Sequence, residues 1–97
     1  MRQDIIERIR VHEVELSALG VDHLSLFGSS ARGDAGPDSD IDIVIDVDPS
    51  RRFSLLDQAG VRLFLCDILR RETGVVIRQD LQLAFLHRIS QDEVSVF

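Results

Sequence analysis

The chain has 97 residues, 44% of them hydrophobic and 29% charged, with 17 acidic against 11 basic side chains and a net charge of -6. That length supports one domain over residues 1–97 with one core, and a chain so short buries only roughly 60–65% of its unfolded surface, so a partner subunit or self-association would help stabilise it. A pI near 4.8 argues against non-specific attachment to nucleic acid, and no apolar run approaches the ~18 residues of a membrane span, so the expectation is a cytoplasmic protein with neither nucleic-acid nor membrane partners.

Apolar residues at Ile5, Ile6, Ile9, Val11, Leu16 and Leu19 follow a mostly helical spacing, with charges on the opposite face, and predict a helix from Asp4 to about Leu19 stopped by Gly20. This polar opening is unlike a signal peptide. Val21 to Phe27 is short, apolar and bounded by glycines, which suits a buried strand. Gly28 to Ser39 holds three glycines, a proline and three serines and reads as a turn and loop, in which Ala31-Arg32 could begin a short helix. Asp40 to Asp48 alternates strictly, with Ile41, Ile43, Ile45 and Val47 on one face and Asp40, Asp42, Val44, Asp46 and Asp48 on the other, the pattern of a strand.

After the Pro49-Ser50 break, apolar residues from Leu55 to Leu69 predict a helix over Phe53 to Arg71, weakened by Gly60 at about 1 kcal/mol relative to alanine. Val75 to Ile77 predicts a third strand and Leu81 to Ile89 a further helix. The order describes a small α/β domain. Cys66, the single cysteine, excludes an internal disulfide and reads as an apolar helix residue. His12, His23 and His87 lack ligand spacing and read as structural or surface residues. The apolar end, Val94 to Phe97, reads as a candidate interface.

The chemistry concentrates in Gly28-Ser29-Ser30-Ala31-Arg32-Gly33 and Ser39-Asp40-Ile41-Asp42. A glycine directly after a strand lets a ligand approach main-chain N–H groups, and the two serines add hydroxyl donors for phosphate oxygens. Two aspartates two apart on a strand project from one face and suit one or two magnesium ions shared with substrate phosphates. Six of the twelve aspartates fall between Asp34 and Asp48 with no arginine among them, a density of like charge that a cation would offset. Either half alone is also the pattern of a ligand-free turn or a solvated strand. Jointly the six specified positions recur by chance on the order of once in ten million placements.

Gly28-Ser29, ten residues, then Asp40-x-Asp42, with Ala31-Arg32-Gly33 and Ser39 between, resembles the signature of the DNA polymerase beta nucleotidyltransferase superfamily. It is more closely similar to the minimal nucleotidyltransferase (MNT) proteins found as antitoxins beside HEPN-domain toxins. The resemblance implies a small nucleotidyltransferase fold, a mixed sheet of three to four strands flanked by about three helices. It further implies that Gly28, Ser29 and Ser30 hold the triphosphate of ATP and that Asp40 and Asp42 bind Mg2+ and carry catalysis. In that family AMP passes from ATP to a hydroxyl, in these pairs a tyrosine of the HEPN toxin; a chain without tyrosine must find such an acceptor on another protein. Arg32 matches the motif arginine, as a phosphate contact or as an ion pair with a neighbouring aspartate.

One departure stands out. Active members carry a third acid on the next strand, where this chain reads Gly74-Val75-Val76-Ile77-Arg78, with Val76 at the expected position. Asp46, Asp67 and Asp80 are not evident replacements. Three functions follow: an antitoxin that transfers AMP to its toxin, a degenerate relative that neutralises the toxin by binding alone, or an acidic interaction module unrelated to nucleotides, against which the joint motif argues.

Overall fold

The computed structural model describes residues 2–97. The predicted first helix is two, α1 (Arg2–Val11) and α2 (Glu13–Ala18), followed by β1 (Val21–Leu26), α3 (Gly28–Arg32), β2 (Ile41–Val47), α4 (Leu55–Leu69), β3 (Thr73–Ile77), a 3-10 turn over Arg78–Asp80, α5 (Leu83–Asp92) and β4 (Val94–Ser95). The four strands form one mixed sheet in the order β3-β2-β1-β4. β2 is antiparallel to β1 and parallel to β3, so the β2–β3 crossover carries a helix, α4, as parallel neighbours require.

The alternation in β2 sorts its side chains as expected. Ile41, Ile43 and Ile45 are fully buried and join Leu24 and Leu26 of β1 in the main core. Ile5, Ile6 and Ile9 of α1 and Val61, Leu65 and Leu69 of α4 belong to the same cluster. The opposite face carries Asp42, Val44 and Asp46, with Ser25 and Val76 beside Val44 in register.

α1 and α2 part at His12, whose N–H bonds to Ile9 O, three residues back, at 2.9 Å and whose ring meets Glu15 at 2.6 Å and the edge of Phe64. α4 begins later than predicted because Ser54 and Asp57 form a reciprocal capping box: the Asp57 N–H donates to Ser54 Oγ and the Ser54 N–H to Asp57 Oδ2. Cys66 is half-buried on its flank.

The apolar C-terminus is a correction. Val94–Ser95 pairs antiparallel with Ser25–Leu26, Val96 is buried, and the Val96 carbonyl accepts from Arg10 Nε at 2.8 Å. The backbone of this segment completes the sheet, with Val96 buried and Val94 and Phe97 half-buried.

Candidate nucleotide and metal site

The Gly28–Ser39 segment is more ordered than its composition suggests. β1 ends at Leu26, Phe27 stays extended, and α3 starts at once with Gly28 at φ +63°, a left-handed conformation that L side chains rarely adopt. A Cβ at Gly28 would also lie 3.0 Å from Asp42 Oδ2. Backbone freedom and close approach therefore both select glycine here. The N–H groups of α3's first turn have no partner within the helix. Gly33, at φ +81°, caps the other end, where its N–H bonds to Ser29 O at 3.0 Å.

α3 is clamped in place from three sides. Arg2 donates to Ala31 O at 2.8 Å, the Phe27 N–H donates to Asp42 O at 3.1 Å, and the Asp42 N–H donates to Ser30 Oγ at 3.1 Å. Ser30, expected as a phosphate donor, accepts here from the Asp42 N–H. It is 1% exposed, and its hydroxyl braces the turn against β2.

Gly28, Ser29, Arg32 and Asp42 line one cleft of about 530 Å³ together with Phe85, Arg88 and Asp92 of α5. Asp40 is exposed, one residue before β2. Burial first, and then repulsion from Asp40, hold the Asp42 carboxyl above its ordinary range. A shared divalent cation would relieve both effects. Asp42 and Ser29 line the cleft, while Asp40 lies outside its lining but near enough to repel Asp42; their oxygens are hard donors of the kind magnesium takes while keeping water and phosphate ligands. Gly74, level with Asp42 in β3, leaves Asp42 Oδ1 open, since even an added Cβ would stop 3.9 Å away. The residues present fit a metal that completes its shell from the nucleotide. Among the described residues no group of three or more His, Cys, Asp or Glu side chains is gathered for a metal.

Arg32 takes the ion-pair option. It reaches Asp34 at 3.2 Å and Asp92 at 2.9 Å, and these two hydrogen bonds, Asp34's first, raise its pKa further. The second pair ties α3 to α5 across sixty positions of sequence. Val76 lies on the Asp42 face, level with Val44, so an acid there would project toward the same side of the sheet. Asp46 is engaged with Arg78, which also grips Glu93 in two hydrogen bonds of 3.0 and 2.6 Å. Asp67 lines a shallow groove with Arg8, His12 and Arg70, and Asp80 is exposed in the 3-10 turn. None of these three lines the cleft.

The α5 residues of the cleft were missed in the sequence, although Phe85, Arg88, Ile89 and Asp92 fall at the three- and four-residue spacing of one helix face. A somewhat larger cleft of about 590 Å³ lies elsewhere, lined by Asp4, Glu7, Arg8, Leu69 and Arg71 among others. Of the motif stretch it touches only Ile41, the unspecified position between the two aspartates.

The nucleotidyltransferase domain family matches residues 5–96. No curated protein matches the chain significantly. Among solved structures, a chain described as a minimal nucleotidyltransferase superposes with a TM-score of 0.73 at 29% identity, covering 92% of this chain and 93% of that one. A chain of a toxin–antitoxin complex with AMP-PNP gives 0.72 at 17% identity, covering 99% and 72%. A chain from the Shewanella oneidensis complex of a tri-AMPylated HEPN toxin with its MNT antitoxin gives 0.70 at 15% identity, covering 100% and 72%. With the family matched over nearly its whole length and the turn and aspartate halves of the motif in contact, this chain belongs to the nucleotidyltransferase domain family.

Proposed function

We propose that this chain is an MNT-type antitoxin that binds Mg-ATP in the Gly28–Asp42 cleft and transfers AMP to a hydroxyl of a HEPN-type toxin, the new bond to the α-phosphorus replacing the α–β phosphoanhydride bond, with release of pyrophosphate and the hydroxyl proton. The observation that carries the reading is the approach of Gly28 to the Asp42 carboxylate, where an added Cβ would lie 3.0 Å from Oδ2. It sets the main-chain donors of the turn beside the one carboxylate whose ionisation the fold opposes. The likeness in fold to toxin–antitoxin neighbours, one with AMP-PNP and one with an AMPylated toxin, supports this choice of partner class and reaction.

In this mechanism the Gly28-Ser29 turn holds the polyphosphate through main-chain N–H groups and the Ser29 hydroxyl. Asp40 and Asp42 would hold magnesium, which when bound neutralises charge on the phosphates and orients them for in-line attack. Ser30 fixes the distance between turn and strand through its bond to the Asp42 N–H. Arg32 keeps α3 against α5 through Asp92. A tyrosine acceptor must come from the partner, since this chain has no tyrosine.

Val76 removes a proton acceptor from the expected position, and a group of that kind contributes typically 10²- to 10⁴-fold. Transfer is therefore slow while nucleotide binding is retained. Val76 also favours the second reading, neutralisation by binding alone. Incubating the chain, co-purified with its partner, with labelled ATP and magnesium separates the two: label on the partner that is lost in Asp42→Ala supports transfer. A stable complex that never takes up label supports binding alone.

A further inference from the structure

Resting on the nucleotide-binding reading above, we infer that Arg88, and not the motif residue Arg32, is the cation that grips the polyphosphate. A nucleoside triphosphate entering this cleft meets an acidic protein, with Asp42 and Asp92 in the lining. It needs positive charge there, and two arginines line the cleft. Arg32 is committed to Asp34 and Asp92, and its charge is spent on the aspartates it holds.

Arg88 is exposed and makes no ion pair among the described residues; its contact is with the Phe85 ring, 5.9 Å from guanidinium carbon to ring centroid. That ring is held in turn. Phe85 meets Phe27 edge-on at 6.2 Å between centroids, Phe27 directly precedes Gly28, and its N–H is bonded to the Asp42 carbonyl. A chain of contacts thus runs from the aspartate strand through two aromatic rings to the guanidinium and fixes where that charge sits relative to the Gly28 turn. A ring beneath the guanidinium leaves its N–H edge free, and that edge matches two phosphate oxygens at once.

The test is calorimetric titration of the whole chain with a non-hydrolysable ATP analogue plus magnesium, and separately with adenosine, for wild type, R88Q and R88K. Arg88 has no hydrogen bond to lose, and thermal melts confirm that the variants fold. R88Q should weaken the ATP analogue by roughly 10- to 100-fold, the factor that a charge-assisted hydrogen bond carries. R88K should recover part of that affinity, and adenosine binding should be unchanged. R88Q binding the analogue as tightly as wild type overturns the inference. So does an equal loss for adenosine, which would assign Arg88 to packing around Phe85. A wild-type chain that fails to bind the analogue overturns the nucleotide site itself.

Discussion

The fold disfavours the charge of Asp42, and that makes its ionisation measurable as stability. Burial and then Asp40 raise its pKa. A carboxyl raised in the folded state contributes stability that is fully present below its unfolded pKa, near 3.9, and is lost as pH rises through the folded value. At pH 7 the ionised group is therefore a net cost. The described residues place no hydrogen bond on its side-chain oxygens, so Asp42→Asn removes the charge without removing a bond. The variant should melt higher than wild type at pH 7 without metal, and the difference should vanish near pH 3. Magnesium with nucleotide should offset the same cost in wild type. At a hundredfold excess over Kd the linkage is about 2.7 kcal/mol, and for a domain of this size each kcal/mol moves Tm by roughly 4–8 °C. A wild-type rise of about 10–20 °C, absent in Asp42→Asn, is the expected result of differential scanning fluorimetry. An Asp42→Asn chain less stable than wild type at pH 7, or equally responsive to Mg-ATP, would mean that the Asp42 charge is neither a cost to the fold nor a metal ligand.

Two further outcomes follow from the same geometry. Gly28→Ala forces a Cβ into a left-handed backbone and against Asp42 Oδ2; it should cost about 1–2 kcal/mol in urea unfolding and abolish nucleotide binding, and a variant that binds normally would remove the need for close approach at the turn. Arg78→Met strands Asp46 and Glu93, half-buried, without their cation and should cost about 2 kcal/mol at pH 7. Burial alone would raise Glu93, but its hydrogen bonds from Arg78 and Ser25 outweigh it and leave the pKa lowered. That contribution is present above the unfolded value near 4.3 and lost as pH falls through the lower folded one, so the gap between wild type and Arg78→Met should close toward pH 3.

The parts of this fold legible in the sequence are those whose pattern is local. β2 could be read because a two-residue alternation of isoleucine and aspartate has one explanation on a half-buried strand, and the Gly-Ser and Asp-x-Asp halves because few residue types meet their backbone and charge demands. α3 was not legible as a helix from its first residue, because Gly28-Ser29-Ser30 have poor helix propensity; the bonds from Arg2 and to the Asp42 N–H hold it. β4 escaped because a strand of two residues exists only through its pairing with β1. For the same reason the Val94–Phe97 tail looked unpartnered. The cleft's α5 wall lies some sixty positions from the turn, and only tertiary contact brings Arg88 and Asp92 to Asp42. Arg32 could be read as a motif residue but not as a strut, since its choice between phosphate and carboxylate depends on that contact.

The most direct test of the central claim, that the Gly28–Asp42 cleft is a working nucleotidyl-transfer site short of one carboxylate, is the rate at which labelled AMP passes from Mg-ATP to the co-purified partner in wild type, Val76→Asp and Asp42→Ala. Val76 is half-buried on the Asp42 side of the sheet, level with Val44, so an aspartate there projects to the same side of the sheet as Asp42. A proton acceptor restored at that point should raise the rate at least about tenfold, the conservative end of what general-base catalysis supplies. Transfer should be slow in wild type, faster in Val76→Asp and absent in Asp42→Ala; transfer that persists undiminished in Asp42→Ala leaves the cleft without a part in the reaction.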